Sequence, residues 1–201
     1  MGRPTCESKQ TNRNSTDAQE LEAMSMSQPA DVRIVMLHGD VNERSITNAI
    51  VQLLYLANQN HKPIHLIVST YGGSIDEMFS LYDTIKFLPC PVHTVALGKV
   101  MSAGVLLLAA GTKGKRLIGP SARIMIHPVS GGAIGNVFEI MNESKEAQRM
   151  HDLLVTSLMA ETKMTKTQID KIMRSGHDYH LVAEEAIKLG IVDKLTSGSS
   201  R

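Results

Sequence analysis

The chain has 201 residues, with 21 basic and 20 acidic side chains and a formal net charge of +1. This balance excludes a strongly basic nucleic-acid clamp, and an aromatic content of 3% without tryptophan argues against a platform that stacks single-stranded nucleic acid. Two cysteines are too few for a disulfide framework or a zinc site, so we expect no metal and no cofactor. No segment resembles a secretory signal or a membrane span, which favours a cytoplasmic protein.

Composition divides the chain into three parts. Residues 1–30 are polar and lack hydrophobic periodicity, which predicts a flexible N-terminal arm. Residues 31–196 have the patterning of one folded domain, and residues 197–201 form a short polar tail.

Within the domain, short β-rich runs alternate with helical patterns. Strands are predicted at 32–37, 64–68, 92–97 and 124–127, with starts spaced roughly 30 residues apart as in stacked βα units. Helices are predicted at 43–59 (after Asn42 as N-cap), from about 75 to 88, and at 102–110, 135–161, 165–173 and 182–189. This alternation predicts an α/β fold with largely parallel strands.

Ser102 lies where a predicted strand passes into an apolar helix, in the segment Gly98–Gly104. The first turn of a helix has unpaired N–H groups and the positive end of the dipole, so a nucleophilic serine there has oxyanion donors beside it. The alternative is that Ser102 is only an N-cap. Val100 stands two residues before it, where the α/β-hydrolase turn requires glycine, which argues against that fold.

Two further segments carry candidate functional groups. His127 ends an apolar strand and precedes Pro128, a position that suits a cleft but also suits a strand-end histidine with a satisfied hydrogen bond. The segment Tyr71-Gly72-Gly73-Ser74 is either a source of backbone N–H groups for an oxyanion or an ordinary tight turn. Neither a G-x-G-x-x-G motif nor a P-loop is present, so nucleotide binding is not expected.

From about 32 to 195 the chain resembles the proteolytic subunit of the caseinolytic (Clp) protease family. The resemblance rests on landmarks in matching order and spacing: the Gly72-Gly73 pair, the LYDTI helix at 81–85, Ser102 followed by LLLAAG, KGKR at 113–116, MIHP with Gly131-Gly132, and AEEAIKLGIVDKL near the end. Tyr71, the Met101–Gly104 segment and residues 1–31 depart from the family pattern, as in a divergent phage or accessory copy.

This resemblance implies a crotonase-like spiral of stacked βα units with a protruding handle helix, here the 135–161 helix. It implies a serine endopeptidase with Ser102 as nucleophile, His127 as general base and Asp178 as the acid, with Asp170 as an alternative acid. The implied oxyanion donors are the N–H groups of Gly73 and Ala103. The implied contacts to an extended peptide come from Gly73, Ser74, Ile75, Val129, Ser130 and Gly131.

The resemblance also implies a homo-oligomer of two stacked seven-membered rings that cuts unfolded polypeptides inside a chamber. An AAA+ unfoldase is the partner typical of the family, although residues 1–31 contain no segment similar to the axial loop that meets it. Neither a nucleic acid nor a membrane is expected as a partner. Two alternatives remain: a ring subunit with weak catalysis, and a crotonase-like acyl-CoA enzyme.

Overall fold

The computed structural model describes residues 32–196, so the predicted arm at 1–30 and the tail at 197–201 lie outside the described residues. The described part forms seven strands, β1 (Ile34–Val41), β2 (Ile64–Gly73), β3 (Val92–Met101), β4 (Leu117–Ile118), β5 (Arg123–Ile126), β6 (Tyr179–Leu181) and β7 (Lys194–Leu195). It also forms six helices, α1 (Glu43–Gln59), α2 (Ile75–Phe87), α3 (Ala103–Ala109), α4 (Val137–Glu161), α5 (Lys166–Arg174) and α6 (Ala183–Lys188).

The strands form one mixed sheet in which parallel pairing dominates. Its main order is β1-β2-β3-β4-β7, and every pair along this path is parallel. Helical crossovers between neighbouring strands produce this pattern, so the α/β prediction is confirmed. Only β6 runs antiparallel to its partner, β5.

On the edge away from β2, strand β3 pairs with two different strands along its length. Val95 and Ala96 pair with β4, whereas Lys99 to Met101 pair with β5. Between these halves Gly98 has a φ of +70°, and the strand changes partner there. The carboxyl ends of β2, β3 and β5 therefore meet at one place, which is where ligands bind in open α/β sheets.

Strand β2 is longer than the strand predicted at 64–68 and includes three residues of the Tyr71-Gly72-Gly73-Ser74 segment, so the tight-turn alternative for this segment does not apply. Strand β2 continues to Gly73, which pairs with Val41 of β1, and helix α2 begins two residues later. A register shift near Ser69 and Thr70 bends this end of the strand. The glycine pair is thus part of the sheet edge rather than a connection between elements.

The core is one cluster of buried side chains to which the sheet and all six helices contribute. All seven residues of α3 are buried, which explains its uninterrupted run of small and aliphatic side chains. Helix α1 buries one face through Ile46, Ala49, Leu53 and Ala57. Asn42 is its N-cap as predicted, because the Asn42 side chain accepts a hydrogen bond from the Ser45 N–H at 3.0 Å.

Helix α4 packs against the domain only through its carboxyl-terminal half. Its buried residues are Val155, Ser157, Leu158 and Glu161, whereas residues 137–149 are all exposed. Asn136 caps the helix by accepting from the N–H groups of Phe138 and Glu139. The exposed half therefore begins at a well-formed helix end and extends away from the core.

Candidate active site

Ser102 joins β3 to α3 in a conformation that is rare for a residue with a side chain. Its φ is +53° and its ψ is −123°, the only positive φ at a non-glycine residue within 32–196. Such a conformation costs about 1–3 kcal/mol and persists only where the surroundings impose it. The Ser102 N–H donates to the Met125 carbonyl at 2.8 Å, which holds the turn against β5.

The Ser102 hydroxyl faces His127 rather than capping the helix. Its Oγ lies 2.7 Å from Nε2 of His127, and its side chain makes no capping hydrogen bond to α3. When Nδ1 carries the imidazole proton, the hydroxyl donates to Nε2 and the imidazole can accept that proton. The geometry therefore fits a nucleophile beside a base, and the N-cap interpretation of Ser102 lacks its hydrogen bond.

Gly72 provides the space in which the Ser102 side chain lies. Its φ is +100°, and a Cβ placed there would lie 2.6 Å from Cβ of Ser102 and 2.9 Å from the Met101 carbonyl oxygen. The Gly72 N–H donates to Oγ1 of Thr70 at 2.9 Å, and Thr70 is completely buried. Thr70 and Gly72 thus support the serine from the neighbouring strand, a role that the sequence analysis missed.

The two predicted oxyanion donors line the same cavity as Ser102, which measures about 320 Å³. Gly73 is the last residue of β2, and Ala103 is the first residue of α3. A residue at this helix position has no intrahelical acceptor for its N–H, so the N–H of Ala103 is suited to bind an anion. Both residues line the cavity together with Ser102 and His127.

The rest of this cavity combines an apolar wall with several polar groups. Its apolar wall comes from α2, α3, the packed half of α4, and α5, through Ile75, Met78, Val105, Leu106, Leu154, Leu158 and Met173. Ser74, Asp76 and Ser130 supply its polar groups beside Ser102 and His127. A hydrophobic side chain of a bound peptide fits such a pocket, with the reacting pair at its edge.

The predicted peptide-binding residues divide between this cavity and a neighbouring groove. Gly73, Ser74 and Ile75 line the cavity, and Val129 and Ser130 line both spaces. Gly131 lines only the groove, which measures about 590 Å³ and lies between residues 129–133 and helix α4. The two spaces adjoin each other at Val129 and Ser130, and the role of these residues in peptide binding stays a prediction.

Asp178 lies opposite His127 by strand register, but the two side chains are not hydrogen bonded. Strands β5 and β6 pair Ile126 with Tyr179, so continuing this antiparallel register by one residue sets 127 against 178. Asp178 is exposed, and its carboxylate makes no hydrogen bond or ion pair within residues 32–196. Its role as the acid stays a prediction.

The alternative acid, Asp170, is engaged elsewhere. Its carboxylate lies 2.7 Å from Nζ of Lys166, one turn earlier on α5. The hydrogen bond from Lys166 lowers the pKa of Asp170 below its ordinary value. This pairing leaves Asp178 as the better-placed carboxylate.

A cluster of polar side chains anchors the packed half of α4, which forms part of the cavity wall. The buried Glu161 carboxylate binds Nζ of Lys86 at 2.5 Å and Nζ of Lys113 at 3.0 Å, and accepts from the Tyr82 hydroxyl at 3.0 Å. Burial raises the pKa of Glu161, but the hydrogen bonds from the two lysines outweigh it and hold that pKa below its ordinary value. Burial and the hydrogen bond to Glu161 raise the pKa of Tyr82 to about 12.

Arg116 extends this anchor to the end of the sheet. Its guanidinium donates to both Asp193 carboxylate oxygens, at 3.0 and 2.7 Å, and to the Glu161 carbonyl at 2.6 Å. Burial raises the pKa of Asp193, but the hydrogen bonds and the charge of Arg116 outweigh that effect. The pKa of Asp193 is therefore below its ordinary value. The KGKR segment therefore contributes structure rather than a binding surface.

Residues 32–196 contain no cluster of three or more histidine, cysteine or acidic side chains with the arrangement of a metal site. No helix described by the structure combines the length and apolar character needed to cross a membrane.

Comparison with known proteins identifies the family. A sequence model of the Clp protease family matches residues 17–199, so the match begins within the segment predicted as an arm. ATP-dependent Clp protease proteolytic subunit 2 of Prochlorococcus marinus (strain MIT 9312) is 39% identical over 170 residues, covering 84% of this chain and 83% of that protein.

Relatives from other organisms show the same level of similarity. ATP-dependent Clp protease proteolytic subunit 3 of Synechococcus sp. (strain CC9902) is 39% identical, with 82% of this chain and 82% of that protein covered. Subunit 2 from Chlamydia trachomatis serovar D is 39% identical, with 83% of this chain and 82% of that protein covered. The chain belongs to the Clp protease family.

Proposed function

We propose that the chain is a serine endopeptidase that cuts unfolded polypeptides and short peptides inside an oligomeric chamber. The observation that carries the proposal is the 2.7 Å approach of Ser102 Oγ to His127 Nε2 in a cavity that has an apolar wall, in a member of the Clp protease family. A serine beside a histidine base is the arrangement needed for acyl transfer.

In the proposed reaction, His127 accepts the Ser102 proton as Oγ attacks the peptide carbonyl carbon. The carbonyl oxygen becomes an oxyanion, which the N–H groups of Gly73 and Ala103 stabilise. His127 then donates its proton to the departing amine, and an ester of Ser102 remains. Water, deprotonated by His127, hydrolyses this ester and restores the hydroxyl.

We assign the third position to Asp178. The strand register supports this assignment, because Ile126 pairs with Tyr179 and the next pair in the same register would be 127 with 178. A carboxylate at Nδ1 would keep the proton on that nitrogen and stabilise the imidazolium that forms during attack. In this role the carboxylate orients the base and does not take the proton.

We propose that the exposed half of α4 is the handle through which subunits assemble into two stacked seven-membered rings. It carries apolar side chains that a monomer leaves in water: Val137 is 68% exposed and Phe138 is 77% exposed, and Ile134 just before them is fully exposed. An apolar patch of this kind favours association. The relatives are named as proteolytic subunits of an ATP-dependent protease. An ATP-driven unfoldase is therefore a candidate partner of this chain.

The substitution Ser102→Ala tests the catalytic proposal. We expect it to lower kcat/KM for a fluorogenic peptide by several orders of magnitude without a loss of thermal stability, because only the nucleophilic oxygen is removed. Ser121→Ala is the control, since Ser121 is an exposed serine that lies outside the cavity. Cleavage by Ser102→Ala at a rate near that of the unsubstituted protein would overturn the assignment.

A further inference from the structure

Asp76 places a carboxylate in the wall of the cavity that contains Ser102 and His127. It is the second residue of α2 and follows Ser74, whose hydroxyl caps that helix by accepting from the Glu77 N–H. The side chain is exposed and therefore accessible to a bound peptide.

No basic residue lines the cavity beside Asp76. Among the described residues that form the cavity wall, Asp76 is the only acidic one, and none is lysine or arginine. Within residues 32–196 the Asp76 carboxylate takes part in no hydrogen bond and no ion pair. The carboxylate is therefore free to bind a cation that enters the cavity.

We propose that Asp76 is a specificity-determining residue that favours substrates with a lysine or arginine at one of the positions around the scissile bond. The proposal rests on the peptidase function given above. Lysine and arginine carry an apolar stem and a charged end, so one such side chain can pack along the apolar wall and reach the carboxylate. The main apolar pocket still accepts a hydrophobic side chain of the same peptide.

A simpler role for Asp76 would be to stabilise the start of α2. An acidic residue in the first turn interacts favourably with the helix dipole, and both Asp76 and Glu77 occupy that turn. The two roles can be separated, because Glu77 has the same relation to the dipole but is not part of the cavity wall. Glu77→Gln is thus a matched control for Asp76→Asn.

The test uses one internally quenched peptide in which a single residue is varied between lysine, glutamine and glutamate. The variation is repeated at each position around the cleaved bond. At one of these positions we expect kcat/KM to be about two- to fivefold higher for lysine than for glutamine, the range of an exposed ion pair. At about 1 M salt, where the Debye length is about 3 Å, the preference should largely disappear.

The variants assign this preference to one side chain. Asp76→Asn should bring the lysine-to-glutamine ratio to about one, and Asp76→Lys should favour glutamate at the same position. Glu77→Gln should keep the ratio of the unsubstituted protein. Retention of the lysine preference in Asp76→Asn, or its loss in Glu77→Gln alone, would overturn the proposal.

The unsubstituted protein provides a second test, in which the three peptides are compared at low and at high salt. Equal cleavage of the three peptides at every varied position, even at low salt, would refute the role of Asp76 while leaving the peptidase function intact. If no peptide is cut, or if Ser102→Ala cuts them equally well, the proposed function itself fails. These results are distinguishable because the first compares substrates and the second compares nucleophiles.

Discussion

Replacing Gly72 by alanine should misplace the nucleophile while the domain stays folded. Glycine at this position has a φ of +100° and faces Ser102 across the sheet edge. The added methyl carbon would lie 2.6 Å from Cβ of Ser102, and ordinary contacts begin at 3.4 Å. The Ser102 side chain, the Gly72 backbone or both must therefore shift by about 0.8 Å in total.

This shift is large compared with the tolerance of a hydrogen-bonded catalytic pair. The Ser102 Oγ to His127 Nε2 distance is 2.7 Å, and a displacement of about 1 Å typically costs about 100-fold in rate. The backbone conformation adds about 1–3 kcal/mol of strain and the steric overlap a further 1–3 kcal/mol. Domains of this kind have about 5–15 kcal/mol of stability, so most of the protein should remain folded.

Gly39→Ala is the matched control, because Gly39 has a similar φ of +88° but no atom within 4 Å of its missing Cβ. Both variants should lower the melting temperature through backbone strain. Only Gly72→Ala should also reduce kcat/KM for a fluorogenic peptide by about 100-fold. A Gly72→Ala protein that stays folded and cleaves within about threefold of the unsubstituted rate would refute the claim that Gly72 positions Ser102.

Substitutions at Thr70, Asp178, Asp170 and Asp193 test further parts of the account. Thr70→Val removes the acceptor for the Gly72 N–H and should slow cleavage about tenfold, whereas Thr70→Ser should retain most activity in the same assay. Asp178→Asn should lower kcat by about 10⁴-fold, and Asp170→Asn should leave it unchanged; the reverse result would assign the acid to Asp170. The pKa of Asp193 is depressed in the folded protein, so its stabilising effect is present above the unfolded-state pKa of about 3.9 and is lost as the pH falls. Acid titration of the free energy of unfolding should therefore be steeper for the unsubstituted protein than for Asp193→Asn.

The proposed handle gives one prediction on assembly. Arg149 and Glu146 form an exposed ion pair on the unpacked half of α4, with a shortest distance of 2.6 Å. Substituting Arg149→Glu together with Glu146→Lys should yield smaller assemblies with weaker activity if this surface meets another subunit. Native mass spectrometry and peptide cleavage on the same samples measure both effects. A monomer that cleaves peptides fully at micromolar concentration would contradict the link between assembly and catalysis.

The long elements could be predicted from sequence because their local signals agree. The bounds predicted for α1, 43–59, are those observed, since a periodic apolar face and the Asn42 cap specify the same start. Strands β4 and β7 were missed because two residues each are too few to show alternation. They form because parallel neighbours pair with them, which is a tertiary effect.

The sequence predicts which residues form the candidate site, but it does not predict the contacts that hold these residues in place. Ser102 and His127 were selected by their positions at strand ends and by the family resemblance, and the structure brings their side chains together. The contact between Gly72 and Ser102 depends on the register of β2 against β3, which a linear sequence does not reveal. For the same reason, the sequence alone left the Gly72-Gly73 pair open between an oxyanion donor and a tight turn.

The most direct test of the account is covalent labelling of the nucleophile. The protein is treated with a fluorophosphonate, and the adduct is located by mass spectrometry of its peptides. We predict one adduct per subunit, on Ser102, and strongly reduced labelling of His127→Ala because the base that activates the hydroxyl is missing. An adduct on a different residue, or full peptidase activity after Ser102 is blocked, would contradict the account.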